Sequence, residues 1–517
     1  MQTENVRVRF APSPTGPLHM GGVRTALFNY LFAKKHNGTF VLRIEDTDTQ
    51  RYVPGAEQYI IEALNWCGIV PDEGVLPNGT PASEATSRHP YAPYRQSERK
   101  PVYRKYALQL VEQGHAYYAF DTPGDLESLR KEAEDKGETF LYNHSVRDRT
   151  LNSLHLSSDE VARRLEENNS WVIRFKVPED RTVTMQDLIR GTVSVHTETL
   201  DDKVLWKAQD GLPTYHLANI VDDRLMQISH VIRGEEWLPS LPLHYLLYEA
   251  FGWQEHRPLF AHLPLLLKPD GKGKLSKRDG DRMGFPVFPL QWLSPTGELS
   301  RGYREDGYYP EAFVNLLALL GWNPGTEQEI FSMEELIEAF SLDRVTRSGA
   351  RFNPEKAKWF NQQYLRNRSD ARLVQDFIPL LLEKEIKTTP LKAEKVVSLV
   401  KNRASFINEF WELSHFFFIP PVSFDPGLQK KYWKPEIPGL MKQAREVLDG
   451  CVPFDVPSID KSLHRWMEKA QLKTGQVMNA LRLCIVGEPQ GPGMADIMAV
   501  IGKQETLERI DHALKTL

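Results

Sequence analysis

Cysteine is scarce in this chain of 517 residues, and long apolar runs are lacking. The three cysteines, Cys67, Cys451 and Cys484, are too widely spaced for a disulfide framework or a metal cluster, which predicts a reducing, cytoplasmic environment. No apolar run approaches the roughly 18 residues that a membrane-spanning helix needs. The first residues have the pattern of neither a secretory signal nor a transit peptide, so we expect no membrane attachment.

The chain also lacks a strong charge of either sign. Its formal net charge is −5, which by itself does not predict a nucleic-acid partner. Phosphate binding depends on local contacts rather than on total charge, so composition leaves the partner open. Hydrophobic residues make up 41% of the chain and aromatic residues 10%, as is ordinary for a globular protein. Because a chain of 517 residues is too long to fold around one hydrophobic core, we expect three or more domains.

The first informative segment lies near the N-terminus. Residues 6–10 have the pattern of a strand, prolines exclude a helix at 11–17, and a helical pattern runs on from Gly21. A second apolar strand at 40–44 completes the first unit of a parallel α/β fold. His-Met-Gly-Gly at 19–22 falls at the turn before the helix, where free backbone N–H groups and the helix dipole favour a phosphate. Alone, such a motif is more often a glycine-rich turn with a surface histidine.

A second informative segment is Lys-Leu-Ser-Lys-Arg at 274–278. The glycines just before it predict a mobile loop, and its cations suit a loop that closes over a pentavalent phosphate. Alone, it is more often a solvated basic loop. Together, and in this order, the two segments predict an enzyme that holds ATP from two sides and transfers its adenylyl group.

The remainder divides by pattern into parts. A Pro- and Gly-rich excursion at 285–307 is predicted to be a surface loop, with no chemical role assigned. Beyond residue 369 the pattern is helical, with long segments at 371–385 and 462–483. We predict an α/β plus all-α protein of four parts: a Rossmann-like catalytic domain with a parallel sheet (1–102 and 213–240), an inserted α/β domain (103–212), a linking domain that carries the basic loop (241–369) and an α-helical domain (370–517).

Four further motifs carry a resemblance to a known family. They are Arg-Phe-Ala-Pro-Ser-Pro-Thr-Gly at 9–16, Arg-Ile-Glu-Asp-Thr-Asp at 43–48, Tyr-Arg-Gln-Ser at 94–97 and Tyr-His-Leu-Ala-Asn-Ile-Val-Asp-Asp at 215–223. With the two segments above, they resemble the class I aminoacyl-tRNA synthetases of the glutamyl and glutaminyl subgroup, and within it the bacterial-type glutamyl enzymes. The resemblance covers nearly the whole chain.

This resemblance implies a two-step reaction. L-Glutamate attacks the α-phosphorus of ATP to give glutamyl-adenylate and pyrophosphate, and the terminal ribose of tRNA(Glu) then takes the glutamyl group and releases AMP. Mg²⁺ accompanies the triphosphate. The inserted domain is implied to bind the acceptor end, the linking domain the stem and the helical domain the anticodon, with tRNA required for efficient activation. We expect a monomer.

The resemblance also assigns residues. Arg9 and Arg233 correspond to positions that hold the carboxylates of the substrate, and Glu45 to the one that recognises its α-amino group. The other implied glutamate contacts are Ala11, Ser13, Tyr215 and Asn219. The implied ATP contacts are His19, Gly21, Gly22, Lys274, Lys277 and Arg278, and the implied catalytic residues are His19, Lys274, Ser276 and Lys277. Trp237 falls in a family motif too, but a core position is equally consistent.

Two regions bear on metal and tRNA. Some relatives carry a zinc site in the inserted domain, whereas residues 117–121 here contain no cysteine, so we predict no structural zinc and no other resident metal site. Residues 351–403 contain twelve Lys or Arg against six Asp or Glu, which suits a phosphate backbone. The aromatics among them, Phe352, Trp359, Phe360 and Tyr364, suit either stacking on anticodon bases or the cores of helices.

Three other functions share features with this sequence. A glutaminyl enzyme shares the catalytic motifs, but its anticodon module is usually a β-barrel, whereas this C-terminal third is predicted to be helical. A truncated paralogue that modifies a tRNA base lacks an anticodon domain, and this chain is too long. The intact signature residues disfavour a non-catalytic tRNA-binding protein. Whether tRNA(Gln) is also glutamylated stays open.

Overall fold

A computed structural model describes residues 5–75, 89–167 and 170–517. The chain forms two compact units, the first comprising residues 1–306 and 310–356 and the second residues 307–309 and 357–517. The boundary falls within one helix, Pro354–Asn367, ahead of the boundary predicted at 370. The finer division of the first unit into three parts stays a prediction.

The first unit opens with the predicted strand, turn, helix and strand. Its elements up to residue 112 are β1 (Arg7–Phe10), α1 (Met20–Lys35), β2 (Thr39–Leu42), α2 (Ala56–Trp66), β3 (Glu73–Gly74) and α3 (Lys100–Glu112). Strands β1, β2 and β3 pair in parallel in that order. On α1, Val23, Leu27 and Leu31 recur at helical spacing and are fully buried, which fixes the helix against the sheet.

The middle of the unit contains two hairpin systems. Its elements are β4 (Ala116–Ala119), α4 (Pro123–Asp135), α5 (His144–Arg147), α6 (Ser158–Glu167), β5 (Val172–Phe175), β6 (Thr182–Asp187), β7 (Gly191–His196), β8 (Val204–Lys207) and β9 (Leu212–Pro213). Strands β4, β5, β8 and β9 form an antiparallel sheet. The β6–β7 hairpin belongs to a different sheet, which includes strands from later in the chain.

The rest of the unit completes the α/β layer. Its elements are α7 (Tyr215–Leu225), β10 (His230–Gly234), α8 (Leu241–Ala250), β11 (Leu259–Leu263), β12 (Leu266–Leu267), α9 (Lys277–Met283), β13 (Trp292–Leu293), β14 (Leu299–Ser300), α10 (Pro310–Leu319), α11 (Met333–Ala339) and β15 (Ala350–Arg351). Strands β10 and β11 are parallel, and β11 pairs with β6 at Phe260 and Asp187. The Ser229 N–H donates to the Arg7 carbonyl at 2.9 Å, which joins the starts of β1 and β10.

Helices alone make up the described second unit. After α12 (Pro354–Asn367), which crosses the boundary, they are α13 (Asp370–Glu383), α14 (Pro390–Val400), α15 (Glu409–Ser414), α16 (Pro426–Tyr432), α17 (Ile437–Asp449), α18 (Val456–Lys469), α19 (Thr474–Val486), α20 (Met494–Ile501) and α21 (Lys503–Thr516). They enclose one apolar core, in which Phe377, Phe410, Met441, Leu463 and Leu481 are fully buried. This confirms the predicted all-α domain.

One predicted helix is wrong in its extent. The segment 462–483 is two helices, α18 and α19, separated at residues 470–473. Gln471 adopts a φ of +51°, a left-handed conformation that ends α18. The break contains neither Gly nor Pro, so the local sequence gives no signal for it, and packing of both helices on the shared core decides it.

Several side chains singled out from the sequence are in the core. At most 1% of the surface of Phe352 or Phe360 is exposed, so neither ring is available to stack on bases. All three cysteines are buried and unpaired. Within the described ranges, no helix is long and apolar enough to cross a bilayer, and no three His, Cys, Asp or Glu side chains are placed to hold a metal ion.

Candidate active site

A cavity of about 360 Å³ lies at the carboxyl ends of β1 and β10 and beside the start of α7. Ligands of open α/β sheets bind at this edge, because successive parallel strands end there. All seven predicted glutamate-binding residues line it, namely Arg9, Ala11, Ser13, Glu45, Tyr215, Asn219 and Arg233. The structure therefore brings together residues that are up to 224 positions apart in the sequence. We call this the amino-acid cavity.

One side of the amino-acid cavity is a buried network of ion pairs. Asp223 Oδ1 accepts from Arg9 Nε at 3.0 Å and from an Arg43 terminal nitrogen at 2.9 Å. Arg43 also donates to Glu45 at 3.2 Å, and Asn219 donates to the same Glu45 oxygen at 3.3 Å. Burial raises the pKa of Glu45 above its ordinary value, against the opposing charges of Arg43 and Arg9. The charge of Arg9 is thus largely matched within the protein.

Arg233, on the other side, is held differently. Its donors reach Tyr215 Oη at 2.7 Å, His262 Nε2 at 3.0 Å, and His244 Nδ1 and the Trp237 carbonyl at 3.4 Å. All four are neutral acceptors, because burial and the charge of Arg233 keep the pKa of His244 well below its ordinary value. Among the described residues, no carboxylate lies within 4 Å of this guanidinium. Arg233 therefore offers an unmatched positive charge to an anionic ligand.

Trp237 also lines the amino-acid cavity. Its ring lies 4.2 Å from that of Tyr215, centroid to centroid, and it is 39% exposed. The side chain is therefore part of the cavity wall rather than of the core, which resolves the alternative that the sequence left open.

A second cavity, of about 520 Å³, adjoins the first and shares Ser13, Thr15, Leu18 and Gly22 with it. His19 and Lys277 line this second cavity, which we call the signature cavity because the two sequence signatures meet there. Residues of both motifs therefore line one cavity.

His19 caps helix α1. Its Nδ1 accepts the Gly21 N–H at 3.2 Å, so its ring proton is on Nε2. That Nε2 is buried and has no hydrogen-bond partner among the described residues. Burial, with the charge of Lys274 nearby, lowers the pKa of His19 to about 4, so the ring is neutral near pH 7. His19 thus keeps a buried ring N–H that is unpaired among the described residues.

The expectation of free backbone N–H groups at this turn is wrong. Met20 donates to the Val287 carbonyl at 2.9 Å, Gly21 to the His19 ring, and Gly22 to the His19 carbonyl at 2.8 Å. Gly22 still lines both cavities, where the absence of a side chain keeps them open, whereas Gly21 lines neither. The contribution to anion binding left at this helix end is its dipole and the His19 side chain.

The basic loop divides into parts with different surroundings. Ser276 caps α9 and donates from Oγ to Asp279 at 2.5 Å, which sets the start of the helix. Lys277 extends its ammonium to Glu298, 2.7 Å away. Lys274 pairs with Glu236 at 3.6 Å, and neither Lys274 nor Arg278 lines either cavity.

The excursion at 285–307, predicted to be a surface loop without a role, supplies one wall of the signature cavity. Phe288, Trp292, Ser294, Pro295 and Ser300 all line it. Strands β13 and β14 form a short hairpin here, which we call the wall hairpin (residues 292–300). It adjoins α2, where the Tyr59 hydroxyl bonds Leu290 and the Tyr59 and Trp292 rings meet edge to face at 5.3 Å. The one signal in the sequence was a tryptophan amid prolines and glycines.

Comparisons with known proteins agree with this geometry. Residues 5–359 match the family described as "tRNA synthetases class I (E and Q), catalytic domain", and residues 371–514 match an "Anticodon binding domain". The chain is 56% identical to the glutamate–tRNA ligase of Flavobacterium johnsoniae and 55% identical to that of Christiangramia forsetii, over the full length of both chains in each case. The crystal structure of a glutamate tRNA ligase from Elizabethkingia meningosepticum, in complex with its amino acid, superposes with a TM-score of 0.94 at 54% identity, covering 99% of this chain and 100% of that one.

Proposed function

The chain belongs to the glutamyl and glutaminyl group of class I aminoacyl-tRNA synthetases, and we propose that it is a glutamate–tRNA ligase acting on L-glutamate, ATP and tRNA(Glu). It forms glutamyl-adenylate and pyrophosphate, then transfers the glutamyl group to the 3′-terminal ribose and releases AMP. The observation that carries this proposal is the pairing of two adjoining cavities, one with an unmatched arginine and one with both signature motifs.

The amino-acid cavity suits an amino acid with two carboxylates. Arg233 has no carboxylate partner among the described residues, so an acidic group of the ligand completes its pairing. Glu45 is a buried carboxylate whose pKa burial raises, so a substrate ammonium beside it relieves the cost of its charge. Glutamine has only its α-carboxylate, whereas the cavity presents both Arg9 and Arg233, which favours glutamate over glutamine.

The signature cavity suits the triphosphate. His19 lines it and has a ring N–H without a hydrogen-bond partner among the described residues, and Lys277 supplies a cation at its wall. As charge develops on the phosphate oxygens, these donors stabilise it, while positioning accounts for the rest of the rate. ATP enters as its magnesium complex, with the ion carried on the phosphates as part of the substrate. Lys274, Ser276 and Arg278 complete the proposed site only if their loop closes.

The tRNA is proposed to contact both units. The second unit matches an anticodon-binding family, and the basic stretch at 351–403 suits phosphates. Buried, unpaired cysteines fit the reducing cytoplasm in which such an enzyme acts. We propose a monomer, which light scattering of the purified protein tests.

The decisive test is tRNA charging with radiolabelled glutamate and glutamine, using purified glutamate and glutamine acceptors in parallel. Glutamate on tRNA(Glu) is the expected product. Charging of glutamine, or no charging by folded protein, contradicts the proposal. The same assay measures whether the glutamine acceptor is also glutamylated.

A further inference from the structure

Behind Arg233 lies a buried chain of hydrogen bonds. Arg233 Nε donates to His262 Nε2 at 3.0 Å, and His262 Nδ1 lies 2.6 Å from Asp187 Oδ2. The side chains of His262 and Asp187 are fully buried. Neither residue lines the amino-acid cavity, so neither touches a ligand there.

The chemistry of the donors fixes where the protons lie. An arginine Nε–H is always a donor, so His262 Nε2 is an acceptor and the ring proton is on Nδ1. That Nδ1–H donates to the Asp187 carboxylate. Burial lowers the pKa of His262 below its ordinary value despite the carboxylate, in keeping with a neutral ring. The carboxylate therefore sets the tautomer, and the tautomer presents a lone pair to Arg233.

This contact uses the inward edge of the guanidinium. With Nε bound to His262, one terminal nitrogen reaches Tyr215 at 2.7 Å and the other faces the Trp237 carbonyl at 3.4 Å. A guanidinium held at Nε cannot rotate about its last bond without losing that hydrogen bond. Its orientation toward the ligand is thereby set from behind.

We propose that His262 and Asp187 are positioning residues that orient Arg233 for the substrate carboxylate, an inference that rests on the proposed function. Both lie outside the cavity, and the ring between Asp187 and Arg233 keeps the carboxylate out of direct contact with the guanidinium. The arrangement orients the arginine and leaves its charge for the ligand.

Asp187 is itself held rigidly. It ends β6, and its Oδ1 accepts the N–H groups of Ile189 at 2.9 Å and Arg190 at 2.8 Å. The Arg190 side chain then reaches the His262 carbonyl at 3.3 Å and the carboxylate of Glu235, just beyond β10. The β6–β7 hairpin, from the segment predicted as an insertion, thus contributes to the glutamate site from behind.

Two amide substitutions, each of which replaces one ring nitrogen of His262, separate the halves of this contact. In His262→Gln the amide oxygen falls near the position of Nε2 and still accepts from Arg233. In His262→Asn the amide falls near Nδ1, keeps the contact with Asp187 and loses the one with Arg233. Aminoacylation of tRNA(Glu) by the full chain gives the KM for glutamate, the KM for ATP and kcat for each variant, and thermal unfolding checks that each is folded.

We expect His262→Asn to raise the KM for glutamate about 10-fold or more, as loss of a hydrogen bond to a charged group does, with the KM for ATP unchanged. His262→Gln should stay within about 3-fold of the wild type, and Asp187→Asn should be intermediate. His230→Asn and His230→Gln, at a buried histidine on the same strand as Arg233 but away from both cavities, are the matched controls and should move neither KM.

Equal effects of the Gln and Asn variants, or parallel rises in both KM values, overturn the positioning role. These outcomes differ from failure of the proposed function, in which the wild-type chain charges no glutamate at all.

Discussion

Asp223 Oδ1 holds two guanidinium groups at once, Arg9 at 3.0 Å and Arg43 at 2.9 Å, in the interior behind the amino-acid cavity. Burial alone raises the pKa of this carboxyl, but Arg9 and Arg43 together hold it below its ordinary value. Arg43 has no exposed surface and lies 3.8 Å from Asp222 as well. The charges of this network are closely matched, so the loss of any one leaves an uncompensated ion in the core.

Asp223→Asn should therefore destabilise the first unit by about 3–5 kcal/mol, because two buried guanidiniums lose their shared anion. Urea unfolding followed by tryptophan fluorescence measures the change. Glu249→Gln is the control, since Glu249 pairs with Arg181 at 2.7 Å with over 40% of each side chain exposed and should cost about 1 kcal/mol or less. Equal costs for the two variants contradict the role assigned to Asp223.

Arg233→Lys should impair glutamate use nearly as much as Arg233→Ala does. A lysine has one nitrogen, whereas the guanidinium reaches His262, Tyr215 and Trp237 with three separate nitrogens. We expect the KM for glutamate to rise at least about 10-fold while the KM for ATP changes far less. Steady-state charging at varied glutamate and varied ATP gives both values. A fully active lysine variant would show that glutamate use does not require the three hydrogen bonds of the Arg233 guanidinium.

Lys277→Ala should slow adenylate formation about 100-fold, because it removes a cation from the wall of the signature cavity. Binding of tRNA should be nearly unchanged. Single-turnover activation and filter binding of labelled tRNA measure the two quantities. Lys34→Ala, at a lysine paired with Asp72 outside both cavities, is the control. Normal activation kinetics in the Lys277 variant would show that Lys277 does not take part in adenylate formation.

Glu298→Gln should lower the KM for ATP, by about 2- to 5-fold. The Glu298 carboxylate lies 2.7 Å from the Lys277 ammonium and competes with phosphate for it, but the pair is partly exposed and so weak. Glu329→Gln, which breaks the comparable pair with Lys356, should leave the KM for ATP as it is. A raised KM for ATP in the Glu298 variant would instead mean that Glu298 positions Lys277 for the phosphate and does not compete with the phosphate for it.

Buried histidines should make the fold less stable in acid. Burial lowers the pKa of His230 to about 4, with a smaller effect of nearby His36, and similarly lowers that of His216 to about 4. Between the ordinary value of 6.5 and pH 4 the unfolded chain binds more protons, so the free energy of unfolding falls as the pH falls. His230→Gln should reduce this slope by up to about 1.4 kcal/mol per pH unit. Guanidinium unfolding at pH 7, 6 and 5 measures it, and an unchanged slope contradicts the assignment.

The sequence predicted those parts of the structure that local patterns determine. Strand 6–10 and the helix from Gly21 are found as β1 and α1, because apolar spacing decides them. The amino-acid cavity followed from family motifs, which name residues far apart in sequence that parallel strands bring to one edge. Its support from behind did not follow, since Asp187 and His262 lie in no motif and only the pairing of β6 with β11 brings them together.

Other features depend on tertiary contacts that no local pattern reveals. The wall hairpin carried no motif, and its role follows from its packing on Tyr59 and α2. The Met20 N–H, at the start of α1, is occupied by the Val287 carbonyl, more than 260 residues away. The break between α18 and α19 depends on the core that both helices share.

The burial of every native thiol has a practical consequence. Burial raises the pKa of Cys67 far above its ordinary value and that of Cys484 to about 12, which suppresses the reactive thiolate. A cysteine introduced at Leu299, which is 56% exposed on the wall hairpin, would therefore react with a maleimide dye well ahead of the native ones. A fluorescent dye can thus be attached to the wall hairpin without first replacing any native cysteine. The fluorescence of that dye would then report the binding of ATP.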